Sequence, residues 1–173
     1  HMKGHTGIDA RAMRGVTLRA PTNGFVSAIY TEPERGLGVE IITHDKRDFG
    51  VYGIHYAKTR QWHLQSILVR KDEVVFAGQK IGTADSTGLS SGDHLHFELK
   101  PVERDGSIER NWYNVFQENG YFGAIDPAPY WNGVYSDTWM ALWTTLQKLK
   151  ILLENYKLKG RSMSGTNNTM SSS

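Results

Sequence analysis

Residues 93–100 read Asp-His-Leu-His-Phe-Glu-Leu-Lys and alternate polar with apolar side chains without a break. In an extended strand His94, His96 and Glu98 fall on one face, and Leu95, Phe97 and Leu99 on the other. The apolar face can enter a core. The opposite face then presents two imidazoles two residues apart on a rigid element. A neutral imidazole ligates zinc and exchanges a proton near neutral pH. The pair can therefore share a metal site, or divide between ligand and base. The plain alternative is a solvated strand face that happens to carry two histidines.

A second element near the start, His5-Thr6-Gly7-Ile8-Asp9, adds an imidazole and a carboxylate four residues apart. Two histidines and one aspartate from separate elements make a three-ligand set with one zinc position open, the mark of a catalytic site. The chain has no cysteine, so any metal must be held by His, Asp or Glu, and disulfides are excluded. A structural zinc would want a fourth protein ligand, and only three converge. No Glu is placed as in an HExxH helix, so histidines would have to serve as acid and base.

At 173 residues the chain can hold one domain with a real core plus an appendage. Its 18 glycines suit a turn-rich β fold. A formal charge of +2 gives no case for nucleic acid as a partner. No apolar run reaches membrane-spanning length, and no stretch reads as a signal peptide. His1-Met2 reads as a cloning remnant.

Short strands are expected at Phe25–Tyr30, Val39–His44, Ile67–Val69, Val74–Phe76 and Lys80–Ala84. Phe49–Ala57 and Thr59–Leu64 read as a pair of strands or one bent strand. Ala20-Pro21-Thr22-Asn23-Gly24 is a strong turn. The expected fold is therefore an all-β core, an antiparallel rolled sheet or sandwich, spanning residues 3–101. Residues 102–136 are aromatic-rich and read as an irregular extension. Asp137 can cap an amphipathic helix over 137–159, in which Leu142, Leu146, Leu149, Leu153 and Tyr156 share a face. That C-terminal helical appendage offers a surface for a protein partner or for self-association. The Ser/Asn/Thr-rich stretch 160–173 is expected to be disordered.

Several of these motifs, taken together, resemble the lysostaphin-type (LytM-like) zinc metalloendopeptidases that hydrolyse peptidoglycan peptides. Gly4-His5-Thr6-Gly7-Ile8-Asp9 matches the family's HxxxD motif and His94-Leu95-His96-Phe97-Glu98 its HxH motif. Between them, residues 20–26, 77–82 and 86–93 resemble the turn and the two loops that precede HxH. The resemblance implies a β-sheet groove with one zinc ion at its floor, held by His5, Asp9 and His96. It implies His94 as a catalytic histidine and a second one in a Tyr-x-His-Leu-like segment. His63 fits that segment's spacing without a gap, with Gln61 in place of the Tyr, and His55 is the alternative. The implied substrate is a short cross-link or stem peptide of the bacterial cell wall, which places the protein outside the cell, in the periplasm or on the envelope. Glu98, on the strand face of His96, is either a partner of the metal ligands or a solvated charge.

Two other readings stand beside this one. Relatives that have lost zinc residues bind the wall or regulate other hydrolases. The turns at residues 20–26 and 77–82 also faintly resemble lipoyl and biotinyl carrier domains, but no lysine-centred hairpin tip is evident between them.

Overall fold

The computed structural model describes residues 4–106 and 111–130, together with Leu149 and Tyr156. The chain divides into two units, His1–Val134 and Tyr135–Ser173. The first is built on strands: β1 (Ile8–Arg11), β2 (Thr17–Arg19), β3 (Gly24–Glu32), β4 (Gly36–Thr43) and β5 (Arg47–Asp48). After a single 3-10 turn at Gly50–Tyr52 come β6 (Ile54–Ile67), β7 (Val74–Val75), β8 (Lys80–Ala84), β9 (His94–Arg104) and β10 (Trp112–Asn114). The main sheet runs β1-β9-β6-β4-β3-β7, with β10 on β9, β5 and β8 on β6, and β2 on β8. Every pairing is antiparallel. The expected all-β antiparallel core is the observed one.

Three local expectations need correction. First, of the two readings for residues 49–64 the single strand is the one observed, but its bounds are 54–67, and residues 50–52 turn before it. Second, β9 does not end at Pro101. It runs on to Arg104, because β6 pairs with it through Val102 and β10 takes up its last three residues. Ala124 and Ile125 are buried, and Ile125 bridges to Leu99, so part of the aromatic stretch is packed into the sheet. Third, β9 is not half-buried. It lies between β1 and β10 on one edge and β6 on the other, and Leu95 to Val102 are all buried. Its polar face is as dry as its apolar one.

The two faces of the sheet are buried by different chemistry. Leu95, Phe97 and Leu99 join Val39, Ile41, Val26, Leu64 and Ile81 in the apolar core. Facing the other way, strands β4, β6 and β9 bring residues into cross-strand rows. Gly38, Trp62 and His96 form one row, with Asp9 of β1 at its end. Glu40, Arg60 and Glu98 form the next, and Ile42, Lys58 and Lys100 the one after. Gly38 is glycine for space: a Cβ there would stand 3.0 Å or less from the Trp62 ring.

The expected helix over 137–159 and the stretch 160–173 lie outside the described residues, apart from Leu149 and Tyr156, both helical and exposed. Among the described residues no helix is long and apolar enough to cross a membrane.

Candidate metal centre

The site grows from the pairing of β1 with β9. Asp9 stands directly opposite His96 and Arg11 opposite His94. Cross-strand neighbours point to the same face, so the HxxxD carboxylate meets the HxH imidazole without any long loop having to be ordered. Asp9 Oδ1 is 2.9 Å from His96 Nδ1, 3.3 Å from His5 Nε2 and 3.6 Å from His94 Nε2. One ligand atom from each of His5, Asp9 and His96 can be chosen so that all three lie within 4.8 Å of one another. Zinc bonds to N and O are about 2.0–2.2 Å long in a tetrahedral shell, so ligand atoms around one ion stand roughly 3.3 Å apart. Two imidazoles and one carboxylate at these spacings fit that ion.

The approach of the two elements depends on Gly7. A Cβ at that position would overlap the Phe97 carbonyl and stand 3.0 Å from His96 Nε2. The carbonyl belongs to the backbone of a central strand and cannot yield. Gly7→Ala is therefore expected to lower stability by about 1–3 kcal/mol and to weaken metal binding with it. Urea unfolding of the variant at an unchanged midpoint would show that the turn does not sit this close to β9.

His63 reaches the same place by a different device. Gly38 pairs with Trp62 and Leu37 with Leu64, so His63 is the extra residue of a β-bulge in β6. Its φ is +65°, the left-handed region that a side chain other than glycine rarely adopts. The bulge turns the ring toward β9, where its centroid is 4.6 Å from that of His94 and 6.3 Å from that of His96. Bulges next to sites that re-aim one side chain are a recurrent use of this defect.

Two backbone carbonyls settle the protons of these rings. His63 Nδ1 is 2.7 Å from Thr87 O, and His94 Nδ1 is 2.8 Å from Gly92 O. A carbonyl only accepts, so both Nδ1 atoms carry the hydrogen and donate it. In the neutral rings Nε2 is then the bare nitrogen. Burial is the main influence on His63 and holds it below the ordinary imidazole range. For Asp9, burial alone would raise the carboxyl, but the His96 hydrogen bond and the charges of His5, His96 and His94 more than offset it and lower it. For His96, burial works downward and is outweighed by Glu98 and Asp9, so its proton is held more tightly than usual.

His5, Asp9, His63, His94 and His96 thus line one cleft of about 350 Å³, together with Trp62, Arg35 and the loop residues Leu89 to Ser91. His55 does not join them. It sits at the other end of β6, with Nδ1 2.8 Å from Glu103 and its ring edge-on to Phe116. Glu98 is not a solvated charge: it is fully buried beneath His96. Burial alone would raise its carboxyl, but His96, Lys100, Thr6 and Arg60 hold it down at about 2.

The family model described as "Peptidase family M23" matches residues 3–108. The chain belongs to peptidase family M23. Among curated proteins, it is 38% identical over 103 residues to the peptidoglycan DD-endopeptidase ShyA of Vibrio cholerae, covering 53% of this chain and 23% of that one. It is 39% identical over 98 residues to the murein hydrolase activator NlpD of Salmonella dublin, covering 56% and 23%. The chain thus spans about a quarter of the length of these relatives. Among solved structures, the catalytic domain of the antimicrobial peptidase lysostaphin from Staphylococcus simulans shares the fold, with a TM-score of 0.54 at 24% identity over 73% of this chain and 77% of that one.

Proposed function

We propose that this chain is a zinc-dependent endopeptidase of the cell envelope, which hydrolyses peptide cross-links or stem peptides of bacterial peptidoglycan. The observation that carries the reading is the convergence of one three-ligand set with two further histidines whose Nδ1–H groups are tied to carbonyls. His5, Asp9 and His96 are the zinc ligands in this reading, one ion per chain. Zinc bound there supplies Lewis acidity, polarising a scissile carbonyl and acidifying water.

The chain's own residues do the rest. His94 and His63 are the catalytic histidines, and each offers a bare Nε2 to the cleft when neutral. One takes a proton from the attacking water and the other, once protonated, delivers one to the leaving amine. A protonated ring also donates a hydrogen bond to the oxyanion that develops on the carbonyl oxygen, a contribution of about 3 kcal/mol per well-placed donor. The carbonyl tethers from Thr87 and Gly92 fix both rings, so little reorganisation is needed at the moment of reaction.

The likeness to an activator of murein hydrolases favours a second reading, a catalytically silent module that binds the wall or regulates another hydrolase. One experiment separates the two: incubate zinc-loaded protein with purified peptidoglycan, with and without a chelator, and identify released fragments by mass spectrometry. New amino termini that vanish with chelator are the expected result. No release from several wall types would leave the regulatory reading in possession.

A further inference from the structure

Glu98 is an expensive residue to place where it is. It is fully buried in the middle of a central strand. A buried carboxylate is tolerated only when its oxygens are met by charge and hydrogen. Here the two oxygens are met by different parts of the molecule. Oε2 faces cations, Lys100 Nζ at 3.0 Å and Arg60 Nη1 at 3.7 Å. Oε1 faces the metal centre: it accepts the Thr6 hydroxyl at 2.6 Å and lies 3.5 Å from His96 Nε2.

Thr6 belongs to the segment that carries His5 and leads into β1 and Asp9, whereas His96 belongs to β9. One carboxylate oxygen therefore touches both elements that supply the ligand set. The geometry also divides the two nitrogens of His96. Nε2 faces Glu98, and Nδ1 faces Asp9 Oδ1 at 2.9 Å. Both nitrogens face a carboxylate oxygen, but Asp9 is itself in the ligand set, so a metal held between Asp9 and His96 takes the place of the Nδ1 hydrogen while Glu98 retains the one on Nε2. Metal-bound histidines commonly donate their second N–H to such a partner, which fixes the ring and strengthens the ligand.

We infer that Glu98 is the positioning residue of the metal centre: its Oε1 joins Thr6, on the segment leading into β1, to His96 and selects His96 Nδ1 as the ligating atom. The inference rests on the zinc reading above. If Glu98 were instead only the anion that neutralises Lys100 and Arg60, its loss would change stability and leave metal affinity alone.

The test compares the wild-type protein with three variants. Glu98→Gln keeps the shape and removes the charge. Glu98→Gln with Lys100→Met also removes the cation that the first change strands. Thr6→Val keeps every charge and removes only the tether. Zinc affinity is read by competition with a chromophoric chelator. The His96 ring is read in zinc-loaded protein by nitrogen-15 NMR, which reports the metal-bound nitrogen and the water exchange of the Nε2–H. Both Glu98 variants are expected to bind zinc about 10- to 100-fold more weakly, and Thr6→Val about tenfold more weakly. In each, the Nε2–H is expected to exchange faster than in wild type. Affinity within twofold of wild type in a folded variant, or metal bound through Nε2 in the wild type, would overturn the inference. A wild-type protein that binds no zinc at all would instead sink the metal reading itself, so the two failures are distinguishable.

Discussion

His94→Ala is expected to lower kcat on a cell-wall peptide by about 100- to 10,000-fold while zinc content stays at one per chain. His94 stands at the rim of the ligand cluster, with Nε2 3.6 Å from Asp9 Oδ1 and Nδ1 tied to Gly92 O. It is outside the three-residue ligand set, so its removal spares the donor atoms. His63→Ala should behave in the same way, because its ring is 4.6 Å from that of His94 and its hydrogen bonds among the described residues go to backbone. His96→Ala should differ from both by losing zinc and activity together. His55→Ala should leave turnover near wild type, since that ring pairs with Glu103 far along β6. Kinetics with metal analysis on the four variants checks the whole assignment. Full turnover in His94→Ala would remove it from the chemistry.

The proposed ligand set was visible in the sequence because it is carried by two short contiguous motifs. His5 and Asp9 share one five-residue stretch, and His94 and His96 share one strand whose alternation is plain in eight residues. Their meeting is a matter of register, Asp9 against His96, and among the described residues β1 pairs with β9 alone. The second histidine was less legible because what brings it to the cleft is a bulge. No local pattern announces that Leu37 pairs with Leu64 and Gly38 with Trp62, skipping His63. The burial of Glu98 was hidden for a related reason. Alternation along β9 shows which residues share a face, and not what lies over that face. A partial signal was present: Arg60 on β6 can meet Glu98 on β9 with opposite charge, although the same register sets Lys58 against Lys100. The continuation of β9 through Pro101 ran against the usual confinement of proline to edges. Pro101 O accepts from Val115 N, so the proline nitrogen faces that same edge of β9 and not β6, and no ladder bond to β6 is lost there.

Arg60→Leu is expected to lower the stability of the zinc-free protein by about 3–5 kcal/mol at neutral pH. Arg60 Nε is 2.6 Å from Glu40 Oε2, and Arg60 Nη1 is 3.7 Å from Glu98 Oε2, so the guanidinium sits between two buried carboxylates in one cross-strand row. Tyr30 and Ser27 hydroxyls complete the shell of Glu40 at 3.0 and 2.7 Å. Burial alone would raise the Glu40 carboxyl; Arg60 first, then Lys58 and Ser27, reverse this and lower it. A carboxylate lowered in the folded state adds stability that is fully present above its unfolded pKa and fades as pH falls through the folded one. Glu40 therefore stabilises the protein above about pH 4.5, its ordinary value. Without Arg60 the same carboxylate is left buried with its main counter-ion gone, and its pKa moves up. The penalty of the variant should accordingly shrink as the medium is made acidic, because a protonated Glu40 needs no guanidinium. Urea unfolding at about pH 7 and about pH 3.5 reads both numbers, the lower pH standing below the ordinary carboxyl range. A penalty that is equal at the two pH values would mean that Arg60 acts through its aliphatic stem against the Tyr30 ring, 5.3 Å from the guanidinium carbon, and not through its charge.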